Sequence, residues 1–323
     1  MKHVGIALAI VCGTVALVAC SDRNEAQQAA QAAKPVAAPP AAAQLDQPAQ
    51  PPPPQSAEQA IDAKLDQVLA GAWRAAPNKA RDEYRHPKQT LEFFGLAAGM
   101  NLIEITPGGG WYAEILAPVL KGSGHYTAAI TIPRKPEGEA AQDKTALEKK
   151  FAADTAEYGE ATTLQFDPKA PNFGAPGSAD MVVTFRNVHN WVMADTAPVM
   201  FKAFFDVLKP GGVLGITDHR AAAGADLEKI KKSGYLPEDF VIKLATDAGF
   251  KLEGKSEINA NPKDTKDYEK GVWTLPPTLQ LGDKDRDKYV AIGESDRMTL
   301  KFVKPAGDKI FTAPADAGKS ETH

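Results

Sequence analysis

Apolar runs of strand length alternate with helical patterns along most of the chain beyond residue 100. The first run, residues 102–105, is followed by a segment whose apolar positions recur at helical spacing. Further strands are predicted at residues 126–130, 164–166, 181–185 and 213–217, and helices at residues 200–208 and 237–248. Strands that alternate with helices in this way predict an α/β domain with a doubly wound sheet.

Three consecutive glycines, Gly108, Gly109 and Gly110, lie between the first strand and the helix that follows it. Glycine allows positive φ angles and a close approach of the backbone to a ligand, and the first amides of a helix attract electron-rich groups. The pattern therefore predicts a loop that binds a nucleotide-type cofactor. A glycine-rich turn without a ligand is the alternative interpretation.

Three motifs carry a resemblance to a known family. Residues 104–110 read Glu-Ile-Thr-Pro-Gly-Gly-Gly, residues 179–183 read Ala-Asp-Met-Val-Val, and residues 208–212 read Leu-Lys-Pro-Gly-Gly. With these motifs the chain resembles the class I S-adenosylmethionine (SAM)-dependent methyltransferases. Within that family it is similar to an uncharacterised group of predicted methyltransferases with an Ile-Thr-Pro-Gly-Gly-Gly-Trp-Tyr-like motif. The resemblance covers residues 80–305.

The resemblance implies a fold and a cofactor. The fold would be a Rossmann-like, seven-stranded, mostly parallel sheet with helices on both faces, in a single domain at residues 57–305, and the cofactor would be SAM. The sixth and seventh strands are expected at residues 251–257 and 298–303. Between them, residues 259–296 form a long connection with Trp273, which we expect to be a lid over a substrate or an excursion from the domain.

The same resemblance implies which residues contact the cofactor. Glu104 would organise the glycine loop or meet the amino end of the donor, and Asp167 would contact the adenine or act as a turn residue before Pro168. An acid that holds the ribose is absent at the end of the second strand, where Thr131 or the later Glu137 would replace it. The predicted cofactor contacts are Glu104, Thr106, Gly108, Gly109, Gly110, Thr131, Asp167, Arg186 and Asn187.

A second family of cofactor sites shares part of the glycine pattern. Gly108-x-Gly110-x-x-Ala113 fits the dinucleotide fingerprint, which also expects an acid about 20 residues further on. That acid is missing for both classes, so its absence does not separate them. The Lys-Pro-Gly-Gly turn and the two closing strands favour the methyltransferase, and an NAD-dependent oxidoreductase is the weaker alternative.

Methyl transfer from a sulfonium requires alignment of donor and acceptor, exclusion of water and, for a protonated acceptor, a base. Asn187, His189 and Asn190 follow the fourth strand, and Asp218, His219 and Arg220 follow the fifth, so both clusters should face one crevice. We expect His189 or His219 as the base, with Asn187 orienting the acceptor and Asp218 supporting the histidines. Structural hydrogen bonding is the alternative for both histidines. A metal site lacks a recognisable ligand spacing, so none is predicted.

Further residues are candidates for the substrate pocket. In similar methyltransferases the segment before the first strand covers the cofactor, which implicates Arg81, Arg85 and His86; a solvated helix turn is the alternative. Aromatic residues near the glycine loop and the fourth strand either stack on a ligand or pack the core. The complete set of pocket candidates is Arg81, Arg85, His86, Trp111, Tyr112, Trp191 and Arg220.

The N-terminal residues predict export. Lys2 and His3 precede an apolar stretch at residues 4–19, and Leu-Val-Ala-Cys at residues 17–20 resembles a bacterial lipobox. Sixteen residues are short for a membrane span of ~20. We therefore expect a signal peptide at residues 1–19 and a lipidated Cys20, followed by Ser21, which implies a periplasmic lipoprotein anchored in the outer membrane.

Residues 20–56 are rich in Ala, Gln and Pro, and are expected to form a disordered tether, with a flexible tail at residues 306–323. An amphipathic helix is predicted at residues 57–76. Cys12 and Cys20 are the two cysteines of the chain, so thiol chemistry and disulfides are not expected in the folded body. A net charge of −4 without a basic block argues against nucleic acid as a partner.

Compartment and cofactor are in conflict, because SAM is made in the cytosol and a charged sulfonium does not cross a bilayer unaided. Three interpretations remain: an enzyme supplied by a transporter, a former enzyme that binds another nucleotide-like ligand, or an envelope scaffold. We expect methyl transfer to a small acceptor in the cell envelope, without an obligate protein partner. A noncatalytic ligand-binding or scaffold lipoprotein is the alternative.

Overall fold

The structure is a computed structural model that describes residues 57–132 and 145–306. Its described part contains one seven-stranded sheet in the order β3-β2-β1-β4-β5-β7-β6. Neighbouring strands from β3 to β5 are parallel, and β7 is antiparallel to both β5 and β6. The strands are β1 Asn101–Ile105, β2 His125–Thr131, β3 Thr162–Phe166, β4 Ala179–Phe185, β5 Leu208–His219, β6 Lys251–Ser256 and β7 Arg297–Val303. The predicted mostly parallel, Rossmann-like sheet is confirmed.

Helices cover both faces of the sheet, as predicted. They are α1 Ala57–Ala70, α2 Ala76–Lys79, α3 Asp82–Arg85, α4 Pro87–Phe94, α5 Ala113–Leu120, α6 Ala146–Ala153, α7 Thr155–Tyr158, α8 Val188–Met193, α9 Ala197–Val207, α10 Leu227–Ile230, α11 Glu238–Asp247 and α12 Arg286–Ile292. Two 3₁₀ turns occur at Lys231–Ser233 and Gly271–Thr274. Among the described helices, none combines the length and hydrophobicity that crossing a membrane requires.

Two apolar cores lie on opposite faces of the sheet because alternate strand residues point to opposite sides. On β1, Leu102 belongs to the core under α1, α4 and α5, whereas Ile103 and Ile105 belong to the core under α9 and α11. Phe94 fills the first core and Phe204 the second, and both are fully buried. The sheet is therefore buried on both faces, and the site lies at the ends of its strands.

Several predicted boundaries differ from the structure. The helix predicted at residues 57–76 ends at Ala70, and Gly71 follows it; a Cβ at that glycine would lie 2.4 Å from the Trp73 ring. The Lys-Pro-Gly-Gly turn is a bulge within the β5 span: Leu208 pairs with Ala179, and regular pairing resumes at Val213. The predicted signal peptide, Cys20, the tether, Glu137 and residues 307–323 of the tail lie outside the described residues.

The strand order reverses direction at β1, whose neighbours are β2 on one side and β4 on the other. Such a reversal opens a crevice at the carboxyl ends of the two strands, where ligands of α/β proteins bind. Ile105 at the end of β1 lies opposite Ala129 of β2 and Thr184 of β4. The glycine loop and residues 186–190 therefore meet at this crevice.

Candidate functional site

A cavity of about 360 Å³ lies at the crevice between β1 and β4. It is bounded by the glycine loop, by the residues that follow β4, by the α2–α3 segment and by Trp273 of the long connection. Of the residues predicted from the sequence, those that line it are Arg81, Arg85, Glu104, Thr106, Gly108, Gly109, Trp111, Tyr112, Arg186, Asn187 and His189. The sequence therefore located most of this wall.

The glycine loop leaves open space on its exposed side. A Cβ added at Gly108 or Gly109 would meet no atom within 4 Å, although Gly108 also needs a positive φ of 58°. Gly110 differs, because a Cβ there would lie 2.6 Å from Leu147 and its φ is 82°. Gly108 and Gly109 therefore leave room for a ligand beside the backbone, whereas Gly110 is required by packing and conformation.

Two residues at the crevice have left-handed backbone conformations that are rare outside glycine. Thr106 has φ 53° and Arg186 has φ 63°, and they follow the adjacent strands β1 and β4. This conformation is strained for a β-branched threonine, and such strain concentrates at functional sites. The Thr106 hydroxyl is also buried without a hydrogen-bond partner among the described residues.

Asn187 ties the two strand ends together. Its Nδ2 donates to the carbonyl oxygens of Ile105 at 3.1 Å and Thr106 at 3.2 Å, and contacts Thr184 Oγ1 and the Phe185 carbonyl at similar distances. An amide nitrogen has two protons, so these contacts occupy its donors. Asn187 thus holds the strained Thr106 in place, and a contact of Asn187 with cofactor or acceptor would have to use its oxygen.

His189 and Asp218 form a buried hydrogen-bonded pair. His189 Nδ1 lies 2.8 Å from Asp218 Oδ1, and the backbone N–H of His189 donates to Asp218 Oδ2 at 3.2 Å. The carboxylate also accepts the His219 backbone N–H at 2.7 Å. A carboxylate on Nδ1 favours the tautomer in which Nε2 accepts a proton, and His189 lines the cavity. The pair therefore has the geometry of an oriented general base.

The expectation that His219 serves as a base is corrected by its surroundings. Its Nδ1 lies 2.6 Å from Ser295 Oγ, and its Nε2 accepts a hydrogen bond from Arg186 Nε at 3.4 Å. Burial, together with the nearby His189 and the arginines Arg186 and Arg297, holds the pKa of His219 well below its usual value. His219 is neutral, lies behind the cavity wall and positions Arg186.

The ligand atoms of His189, Asp218 and His219 lie within 4.8 Å of one another, a separation that could suit a metal ion. Hydrogen bonds already occupy both nitrogens of His219, and one of them comes from the cationic side chain of Arg186. A guanidinium at this position repels a metal cation. The cluster is therefore a hydrogen-bonded network around the base.

Glu104 is almost fully buried at the floor of the cavity and accepts a hydrogen bond from the Tyr126 hydroxyl at 2.6 Å. Burial raises the pKa of Glu104 to about 7, and the hydrogen bond from Tyr126 opposes part of that shift. Near neutral pH this carboxyl group therefore exchanges a proton, and it can accept or donate a hydrogen bond to a ligand.

Arginine side chains form the opposite wall. Arg81 Nε donates to Glu294 Oε1 at 2.7 Å, and Arg85 Nε contacts both oxygens of Glu294 at 3.0 and 3.1 Å. Arg297, behind them, donates to Glu294 Oε2 at 2.7 Å. Three guanidinium groups thus share one carboxylate, and Glu294 was not found by the sequence patterns.

The aromatic candidates pack against protein groups. The Arg85 guanidinium lies 4.7 Å from the centre of the Trp111 ring, whose Nε1 donates to the Asn78 carbonyl at 2.9 Å. Tyr112 stacks on Phe185 with 3.5 Å between ring centres. The rings of Trp111 and Tyr112 therefore pack mainly against other protein groups, although both residues still line the cavity.

Three pocket candidates do not line the cavity. Trp191 lies in the core, 5.5 Å from Phe204 between ring centres, because it is on the inner face of α8. Arg220 lies just after β5 and binds Glu257 and Asp296 instead. His86 has φ 40° at the junction of two short helices, and its Nδ1 is buried without a described partner. For these three residues the pocket prediction is corrected.

Thr131 and Asp167 line a second cavity of about 820 Å³ at the carboxyl ends of β2 and β3. Asp167 is exposed, and its Oδ1 accepts the backbone N–H of Lys169 at 2.9 Å, which is the turn role weighed from the sequence. Asp167 is the one carboxylate among the described residues that line this cavity. The two cavities lie over adjacent strands of one sheet edge.

Trp273 lies where the lid interpretation requires it. The residue lines the first cavity, and its ring lies 6.0 Å from the His189 ring at an angle of 67°. The connection around it is ordered into the 3₁₀ turn Gly271–Thr274 and helix α12. Asn190, expected at this crevice, and Pro107 of the glycine motif also line the cavity, and the lining residues that the sequence patterns missed are Asn78, Phe185 and Pro277.

No protein-family model and no curated protein matches the chain. Among solved structures, the [4+2]-cyclase SpnF matches with a TM-score of 0.50 and 16% identity over 78% of this chain and 97% of that chain. A SAM-dependent methyltransferase from Aquifex aeolicus matches with a TM-score of 0.47 and 14% identity over 75% of this chain and 98% of that chain. At 16% identity the likeness to SpnF shows a shared fold and no more.

Proposed function

We propose that the protein is a SAM-dependent methyltransferase that acts on a small acceptor in the cell envelope. The observation that carries this proposal is the open space beside Gly108 and Gly109, in the cavity that His189 also lines. One wall is suited to a donor and the other carries an oriented base. The sequence resemblance to methyltransferases agrees with this arrangement.

In this proposal the donor lies along the carboxyl edge of the sheet. Its amino-acid half lies beside residues 106–109, close to Glu104 and the first amides of α5. Its adenosine half lies in the second cavity, where Thr131 is available to a ribose hydroxyl and Asp167 to the adenine. Both cavities are at the ends of adjacent strands, so one extended ligand can occupy both.

The chain supplies positioning and a proton acceptor. SAM provides a methyl group on a positively charged sulfur, and the acceptor atom must approach that methyl in line with the bond that breaks. His189 Nε2 takes the proton that the acceptor loses, and Asp218 holds the ring and stabilises the imidazolium that forms. Trp273 covers the cavity and limits the access of water.

Titration calorimetry of the full-length protein with SAM, S-adenosylhomocysteine and NAD tests the proposal. We expect both sulfur ligands to bind at micromolar concentration and NAD not to bind. Gly109→Ala is the matched control, because its Cβ meets no protein atom and points into space reserved for the ligand. The variant should retain its melting temperature and lose at least about tenfold in affinity. Binding of NAD alone would assign the chain to the dinucleotide class.

One observation favours the noncatalytic alternative: β2 ends at Thr131, and the one acid among the described residues that line the same cavity, Asp167, follows β3 and not β2. His189→Gln separates the two functions, since it leaves the donor wall intact. An enzyme would bind S-adenosylhomocysteine normally and lose about 10²- to 10⁴-fold in turnover through this change. A ligand-binding lipoprotein would show no transfer to begin with.

The envelope location is part of the proposal and rests on the leader sequence. Cys20→Ala in the full chain should release the protein from the membrane fraction into the soluble periplasm, because the acyl anchor would be lost. Retention of the variant in the membrane fraction would contradict the anchor. The donor would then have to reach the periplasm by transport.

A further inference from the structure

The cavity has three arginines against two acids, Glu104, which lines it, and Glu294. Arg81, Arg85 and Arg186 line it, and Glu294 is the one carboxylate that pairs with any of the three among the described residues. Glu294 also pairs with Arg297. The side chain of Arg186 has a single described hydrogen bond, to the ring of His219, and no described ion pair.

Several of these guanidinium nitrogens lack partners. Arg81 Nη2 and Arg85 Nη2 are buried without a hydrogen bond among the described residues, and Arg85 is 6% exposed. Unsatisfied buried donors cost free energy, most of all when they are charged. Burial also lowers the pKa of Arg186 to about 10; Glu294 and Asp218 oppose this shift, and Arg297 and Arg81 add to it. A ligand with oxygen acceptors would satisfy these donors.

We propose that the acceptor of the methyl transfer is a small organic anion whose carboxylate or phosphate group binds Arg81, Arg85 and Arg186. This inference rests on the proposed function, because it names the acceptor class of the same cavity. Planar guanidinium groups bind such oxyanions with two parallel hydrogen bonds. The cavity volume of about 360 Å³ suits a ligand of this size beside the donor.

The position of Arg186 directs the acceptor to the base. Arg186 Nε contacts His219, whose ring centre lies 4.9 Å from that of His189. An anionic group on Arg186 therefore places the rest of the acceptor beside His189. The anion also offsets the repulsion between the arginines and the sulfonium of the donor, so acceptor and SAM should strengthen each other's binding.

Calorimetry with matched probes tests the proposal. Benzoate and phenyl phosphate carry the oxyanion, and benzamide has the shape of benzoate without its charge. We expect either anion to bind the full-length protein at least about tenfold more tightly than benzamide, with or without S-adenosylhomocysteine. Arg186→Gln and Arg81→Gln should each remove most of that preference. Lys243→Gln, which loses the same charge on an exposed helix face, should leave it unchanged.

Other outcomes overturn the inference. Equal affinity for benzoate and benzamide would show that the arginines do not recognise an anion. Competition between benzoate and S-adenosylhomocysteine would assign the arginines to the carboxylate of the donor, above all if 5′-methylthioadenosine, which lacks that carboxylate, bound both arginine variants normally. Anion binding without any S-adenosylhomocysteine binding would instead refute the proposed function and leave the anion site standing. Melting temperatures of both arginine variants control for folding.

Discussion

Two arginine networks lie on opposite sides of β5 and β7, and they differ in charge balance. The cavity network consists of Arg81, Arg85 and Arg297 around the single carboxylate Glu294. The rim network places Arg220, Lys255 and Lys266 against the carboxylates Glu238, Glu257 and Asp296. Cations exceed acids in the first network, whereas three cations face three acids in the second.

The difference in charge balance indicates that the rim network stabilises the fold, whereas the cavity network is suited to bind a ligand. A balanced network satisfies its own donors and acceptors, so it needs no further group to be stable. An unbalanced one retains buried donors and repulsion between cations, which natural proteins accept mainly where a ligand completes the arrangement. The cavity network has the strained Thr106 and the His189–Asp218 pair beside it, whereas the rim network has neither.

The largest effect is expected when the cavity network loses its carboxylate. Glu294→Gln leaves three arginines facing one another without a counter-ion, at positions where Glu294 and Arg297 are each 3% exposed. Breaking a buried ion pair on one side costs about 3–5 kcal/mol of unfolding free energy. Urea denaturation at pH 7 measures the loss.

The matched variant in the rim network is Glu257→Gln, whose side chain is 69% exposed and binds Arg220. Exposed pairs contribute about 1 kcal/mol or less, so this variant should unfold nearly as the wild type does. Equal losses in the two variants would show that the cavity network is held together in the same way as the rim network.

A somewhat smaller effect concerns pH. Burial raises the pKa of Glu104 from 4.5 to about 7. Between pH 4.5 and pH 7, Glu104 is therefore protonated in the folded protein and ionised in the unfolded chain. The stabilisation is complete below pH 4.5 and is lost as the pH rises through 7, by a total of about 3 kcal/mol. Glu104→Gln should remove this dependence, as urea denaturation at pH 4 and pH 8 would show.

Glu257 in the rim network should respond in the opposite direction. Its hydrogen bond with Arg220 lowers the pKa of Glu257, so its contribution is present above pH 4.5 and is lost as the pH falls. Solvent screening keeps that contribution small. The unfolding free energy of the wild type should fall relative to that of Glu104→Gln between pH 4 and pH 8. If it did not, Glu104 would not be protonated in the folded protein at the lower pH.

The smallest effect comes from single arginines. Arg220→Gln leaves Glu238 and Asp296 without their shared cation and should cost about 2 kcal/mol of unfolding free energy. Arg186→Gln removes no described ion pair and keeps the same backbone, so its unfolding free energy should stay within about 0.5 kcal/mol of wild type. Thermal unfolding of the two variants checks this contrast, and a costly Arg186→Gln would assign that residue to the fold.

The sequence predicted the sheet well because its apolar strands and glycine stops are local signals. The cavity wall formed by Gly108, Gly109, Arg186 and His189 followed from the rule that strand ends meet at one edge. The residues at the end of β5 were harder to assign from the sequence. Asp218 is still in the strand and reaches His189, whereas Arg220 lies just beyond the strand and pairs with Glu257 and Asp296.

Glu294 could not be predicted from the sequence for a different reason. It lies 209 positions from Arg85 in the chain, at the end of a long connection whose path is set by packing and not by a local pattern. Glu294 is the carboxylate that pairs with Arg81 and Arg85, so the charge balance of the arginine wall depends on it. A count of basic residues along the sequence shows a slightly acidic chain and gives no sign of the cationic wall.

A crystal structure of the full-length protein with S-adenosylhomocysteine and benzoate tests the central claim most directly. We expect the amino-acid half of the sulfur ligand beside Gly108 and Gly109, and the benzoate carboxylate on Arg186 and its neighbours with the ring next to His189. Benzoate on the rim network, or a cavity that remains empty while both ligands bind elsewhere, would contradict it.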